Sequence, residues 1–186
     1  MAARAAGSRE RRNHLERSYA DLAIVGQGNE QGETSPWLPL LLGSGSPALV
    51  LPPHWRAPTF GTRAIIAWNA SRESRRAMLD ALPLLATSRV VTIVAVDPKC
   101  GVSGHGEEPG ADVARYLARH GIRANVEQID SAGADAGAII LSRTKALEAD
   151  LIVMGAYGHS RFAEFVFGGV TRSVLKDMAV PVLMAN

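Results

Sequence analysis

With one cysteine in 186 residues, Cys100, the chain has no second thiol to close an intrachain disulfide. Such a fold must hold by its core, and it suits the reducing cytoplasm, where the chain is expected to reside. No apolar run approaches the ~18 residues that span a bilayer, and the start near Met1 lacks the apolar centre of a secretory signal. The five histidines, at 14, 54, 105, 120 and 159, show no ligand spacing, so no metal site is expected. No Lys-Ser/Thr pair follows the glycines, as a P-loop NTPase requires. There is no Gly-x-Gly-x-x-Gly after the first strand of the alternating region and no Gly-x-Ser-x-Gly elbow. Cys100 has neither His nor acid at a fixed spacing. No catalytic residue is therefore assigned, and the chain reads as a non-enzyme, with weak ATP hydrolysis the residual alternative.

Charge of one sign is also scarce. The formal net charge is +2, and a short head carrying Arg4, Arg9, Arg11, Arg12 and Arg17 against Glu10 and Glu16 more than accounts for it. The body is close to neutral, so the head reads as a solvated terminus and neither nucleic acid nor membrane is an expected partner.

What the chain does have is ordinary globular composition, 47% apolar and 20% charged, arranged in alternating strand and helix patterns from Arg63 onward. Ala64 to Trp68 reads as a short buried strand. Residues 73–86 place Ala77, Met78, Ala81, Leu82 and Leu85 on one helical stripe. Val90 to Val96 is a β-branched strand, and 97–109 a Gly- and Pro-rich loop. A helix over 110–120, with Val113, Tyr116, Leu117 and His120 on one face, stops at Gly121. Ala124 to Ile129 is the third strand, 134–147 the third helix, Leu151 to Met154 the fourth strand, 170–178 the fourth helix and Val180 to Met184 the fifth strand. This alternation predicts an α/β fold with a doubly wound parallel five-stranded sheet.

The first sixty residues echo the end of that pattern. Ala20-Asp-Leu-Ala-Ile-Val-Gly26 matches Ala149-Asp-Leu-Ile-Val-Met-Gly155, and Ser46-Pro-Ala-Leu-Val-Leu51 echoes Val180-Pro-Val-Leu-Met184. The expected organisation is a basic segment over 1–18, a remnant of a first module over 19–53, a linker over 54–61 and a complete module over 62–186. The remnant is the last strand–helix–strand unit of a repeat. An apolar edge such as Val182-Leu-Met184 invites association unless covered. Ala48 to Leu51 would cover it within the chain, or two chains would pair through it as a homodimer.

The pattern Gly155-x2-Gly158-x9-Gly168, followed by a helix and a Val-Pro-Val-Leu strand, resembles the universal stress protein family. Ala64-Ile-Ile-Ala-Trp-Asn-Ala-Ser71 and Asp80-Ala-Leu-Pro-Leu-Leu85 resemble the start of the same module, and 19–52 the tail of a preceding one, as in tandem members. The resemblance implies strand order 3-2-1-4-5, the adenine-nucleotide alpha-hydrolase-like or flavodoxin-like arrangement, with a nucleotide cleft between strands 1 and 4. The implied ligand is ATP or another adenine nucleotide, with or without Mg2+. The implied site comprises Ala67, Trp68, Asn69, Val96, Met154, Gly155, Gly158, His159, Arg161, Gly168, Gly169, Val170 and Thr171. His159 and Arg161 fall where a phosphate would lie. The chain departs from ATP-binding members at Gly169, where Ser or Thr is usual, at Asn69, where Asp is common, and at Ala70, where Gly is usual. Each lost contact is worth roughly 1–3 kcal/mol. The first copy lacks the full glycine pattern, so no nucleotide is expected there. The implied function is a nucleotide-responsive stress sensor or switch. The alternative is an interaction or dimerisation module of the same fold that binds an unidentified protein and no nucleotide.

Overall fold

The computed structural model describes residues 20–27, 41, 43, 45–98, 108–156 and 169–186. In chain order its elements are β1 (Ala23–Gly26), β2 (Ala48–Leu51), β3 (Arg63–Ala67), α1 (Arg72–Asp80), α2 (Leu82–Leu85), β4 (Val90–Val96), α3 (Ala111–Arg119), β5 (Ala124–Ile129), α4 (Ala136–Ala146), β6 (Leu151–Gly155), α5 (Gly169–Asp177) and β7 (Val182–Ala185). Local chemistry sets the helix starts. The Ser71 Oγ accepts from the Ser74 N–H at 3.1 Å to cap α1, and Asp135 accepts from the Ala138 N–H at 2.9 Å to cap α4. The single helix expected over 73–86 is in fact two, because Pro83 has no N–H to continue the ladder and restarts the chain as α2 after Ala81. On α3, Val113 and Leu117 are buried as the stripe predicts, but His120 is exposed beyond the helix end, its ring 4.8 Å from Tyr116.

The strands form one seven-stranded sheet in the order β1-β2-β7-β6-β3-β4-β5. Within it, β3 to β7 follow the order 3-2-1-4-5 and are parallel throughout. The sheet runs on beyond five strands and is not parallel to its end: β2 pairs antiparallel with β7, and β1 pairs parallel with β2. At the start of β3, the carboxylate of Asp150 accepts from the Arg63 N–H at 2.8 Å and the Thr62 N–H at 3.1 Å, which locks β3 beside β6.

The antiparallel joint is symmetric. Ala48 faces Met184, Leu49 faces Leu183 and Val50 faces Val182. Aligning the two matching sequence stretches makes Ala48 the equivalent of Val182 and Val50 that of Met184, so a local two-fold passes between Leu49 and Leu183. The flanking parallel pairs repeat the same register: Ile24 lies beside Leu49 as Val153 lies beside Leu183. Even the bounding hydrogen bonds correspond, Ala23 N–H to Pro47 C=O at 3.0 Å against Ile152 N–H to Pro181 C=O at 3.0 Å.

Helices cover both faces. Under α1, α2 and α3 lie Ile66, Ile93, Leu151, Val153, Leu183 and Leu49. Under α4 and α5 lie Ile152, Met154, Val182, Met184, Ala48 and Val50, with Leu41 in the same cluster. The apolar alternation along each strand thus feeds two cores. Among the described residues burial lapses at Val126 on β5 and most of all at Ile24, the equivalent of the fully buried Val153, which is 65% exposed.

A cavity at the switch point of the sheet

From β3 the chain crosses through α1 to β4 on one side; from β5 it crosses through α4 to β6 on the other. The sheet therefore reverses direction between β3 and β6, the place where open α/β sheets take ligands. A cavity of about 330 Å³ opens there. The strands β3, β4 and β6 end at its floor, and the N-terminal ends of α1, α4 and α5 converge on it through Ser71, Ala136 and Gly169 to Thr171. Converging helix N-termini bring unsatisfied N–H groups and partial positive charge to one spot.

Nine of the residues singled out from the sequence, Ala67, Trp68, Asn69, Val96, Met154, Gly155, Gly169, Val170 and Thr171, line this one cavity. Gly158, His159, Arg161 and Gly168 lie outside the described residues, as does Cys100. Ser71, Val94, Ala136 and Ile140 also line it and were not anticipated. Ser71 is marked in the sequence by its cap position. Ala136 and Ile140 carry no such mark, since they arrive through the packing of α4 against α5. That packing needs Gly137, where a Cβ would stand 2.6 Å from the Ser173 Cβ and 3.0 Å from the Val170 carbonyl oxygen.

Each lining group has a definite physical setting. The Trp68 N–H donates to the Val94 carbonyl at 2.9 Å and closes the β3–β4 end. The Asn69 Oδ1 accepts from the Ser71 N–H at 3.2 Å, which leaves its amide N–H pair as donors. Between them Ala70 is held at φ +56°, a conformation that glycine adopts freely and alanine does not. Gly155 is required by packing: a Cβ there would overlap the backbone of α1, 2.6 Å from the Glu73 carbonyl carbon. Gly169 is not so constrained, for an added Cβ would meet nothing within 4 Å.

Among the described lining residues, Thr171 is the one buried side chain with a polar group. Only 4% of it is exposed, yet its hydroxyl has no hydrogen-bond partner among the described residues. A buried polar group in that state costs about 1–3 kcal/mol unless something meets it. Among the described lining residues no side chain is charged. Among all described residues no cluster of three His, Cys, Asp or Glu is placed to hold a metal ion, and no helix is long and apolar enough to cross a membrane.

Comparison with known proteins gives a consistent picture. The model of the Universal stress protein family matches residues 62–186. A search of curated proteins finds no match. Among solved structures, a universal stress protein from Archaeoglobus fulgidus DSM 4304 is similar with TM-score 0.68 and 17% identity, over 93% of this chain and 65% of that one. This chain thus spans about two thirds of that protein's length. Universal stress protein UspA from Lactobacillus plantarum is similar with TM-score 0.53 and 16% identity, over 69% of this chain and 99% of that one. A universal stress protein in complex with cAMP is similar with TM-score 0.50 and 17% identity, over 67% of this chain and 97% of that one. At these identities the likeness is one of fold.

Proposed function

The chain belongs to the universal stress protein family, and from that premise we propose that its cavity binds an adenine nucleotide and that the protein works as a nucleotide-responsive switch in the cytoplasm rather than by turnover. The observation that carries this reading is Thr171, a hydroxyl buried on the cavity wall with no described partner, in the first turn of α5. A phosphate oxygen at that helix N-terminus would satisfy it and meet the first N–H groups of α5. The apolar wall of Val94, Val96, Ile140 and Met154 suits a base, and the Asn69 amide and Ser71 hydroxyl are donors for the sugar or phosphate. The cAMP complex of a structural relative supports the ligand class. Where Mg2+ accompanies ATP, no carboxylate among the described lining residues is present to bind it, so its coordination would fall to the phosphates.

A second reading, an interaction module that binds no nucleotide, draws on the absence of any charged side chain among those lining residues. Thermal unfolding with and without millimolar ATP or cAMP separates the two. Ligand at 100-fold excess over its dissociation constant stabilises by about 2.7 kcal/mol. Thr171→Val keeps the shape and removes the hydroxyl, and is expected to weaken binding about tenfold. A wild-type melting temperature unmoved by either ligand supports the second reading.

A further inference from the structure

We propose that Gln27 is a positioning residue for the cavity, holding from outside the helix whose first turn lines it; this rests on the nucleotide reading above. Gly26-Gln27 occupies the place in the first strand pair that Gly155-Ala156 occupies in the second. The Gln27 N–H donates to the Leu51 carbonyl at 2.9 Å, as the Ala156 N–H donates to the Ala185 carbonyl at 2.8 Å. In the second pair the chain at this point borders the cavity through Gly155, and Ala156 is a small, fully buried side chain. In the first pair the same position carries a long amide that reaches across the two-fold to α5. Its Nε2 donates to the Leu175 carbonyl and lies 3.5 Å from the Lys176 carbonyl.

Those two carbonyls belong to the last turn of α5, where no N–H of the helix itself can reach them. An amide donor there also faces the negative end of the helix dipole. The helix has nine residues and is about 13 Å long, too short to persist without docking. One end of it supplies Gly169, Val170 and Thr171 to the cavity and the other is gripped by Gln27. Ala48 and Val50 share an apolar cluster with Val174, Leu175 and Met178, so the grip and the packing act on the same turn. A helix held at its far end presents its first turn already ordered, and the ligand need not bear that ordering cost.

The test uses the full chain, ATP as probe, and three variants: Gln27→Ala, Gln27→Met, which keeps the length and removes the donor, and Ile24→Ala, which alters the same strand pair without touching α5. Amide hydrogen exchange of α5 without ligand and the ATP dissociation constant are measured for each. Loss of the donor is expected to speed α5 exchange and weaken ATP binding about five-fold in both Gln27 variants, with Ile24→Ala changing neither. Wild-type ATP binding that Gln27→Met leaves unchanged overturns this proposal alone, whatever α5 exchange does. Absence of ATP binding by the wild type overturns the nucleotide reading and this proposal with it.

Discussion

The pairs β1–β2 and β6–β7 share a register, a parallel sense and their bounding hydrogen bonds, yet they live in different surroundings. Val153 is fully buried under α1, while its equivalent Ile24 is 65% exposed on β1, the end strand of the sheet among the described residues. Gly155 packs against the backbone of Glu73 and Ser74, while around Gly26 an added Cβ would meet nothing within 4 Å. The β6–β7 pair has β3 and α1 beside it; β2 still packs against β7 and sends Leu49 into the cluster under α1, but among the described residues no strand pairs with the outer side of β1. Strand pairing is a property of a few residues and their partners, and survives on its own. Burial and a ligand cavity need the other half of the sheet.

The largest expected effect is at the two glycines. Gly155→Ala forces α1 away from β6 and is expected to cost about 3 kcal/mol in urea unfolding. Gly26→Ala is expected to stay within about 0.5 kcal/mol of wild type. Equal effects at the two positions would break the contrast. Next, Val153→Ala should cost about 2 kcal/mol by leaving a void in the core, against about 0.5 kcal/mol or less for Ile24→Ala. If Ile24→Ala proves as costly as Val153→Ala, the β1 face is covered in solution, and sedimentation at several concentrations would show by what.

Gly169→Ser sharpens the comparison on the side of the cavity. There is room for the side chain, and the hydroxyl it adds at the start of α5 is expected to tighten ATP binding about tenfold. Calorimetric titration checks this, and no gain would mean that the first turn of α5 does not meet the phosphates.

The smallest effect lies outside both pairs, at Asp97. The Ser131 side chain and then its backbone N–H hydrogen-bond this carboxylate and hold its pKa below the ordinary 3.8. A depressed folded-state pKa contributes stability that is present above the unfolded value and lost as the pH falls through the folded one. Asp97→Asn should therefore lower stability slightly above pH ~4, neutrality included, and flatten the acid limb, so that the two profiles converge at lower pH. An acid limb as steep in the variant as in the wild type would mean that this carboxylate contributes nothing to the pH dependence.

Much of the fold could be read from residue pattern, since β3, β4, β6 and β7 are short, mainly apolar runs, β5 mixes apolar and polar residues as an edge strand does, and each longer helix has a cap or an apolar stripe. The echo of Ala20 to Gly26 in Ala149 to Gly155 likewise reappears as shared register. The sense of β2 against β7 was not readable, because a short, wholly apolar run is compatible with either direction and only the joint decides it. The break between α1 and α2 follows from Pro83, which an apolar stripe alone conceals. At the cavity, residues in or beside the glycine motif stood out, whereas Ala136 and Ile140 did not. Their place there depends on how closely α4 approaches α5 at Gly137. Gln27 was equally hidden, since nothing local marks a side chain whose partner is 148 residues away.

The central claim is that the β6–β7 half of the molecule has a ligand site and the β1–β2 half has none. Calorimetric titration of the full chain with ATP, for the wild type and Thr171→Val, tests it most directly. The account predicts one site per chain and a dissociation constant about tenfold weaker in the variant. No measurable binding, two sites per chain, or a wild-type affinity that Thr171→Val leaves untouched would contradict it.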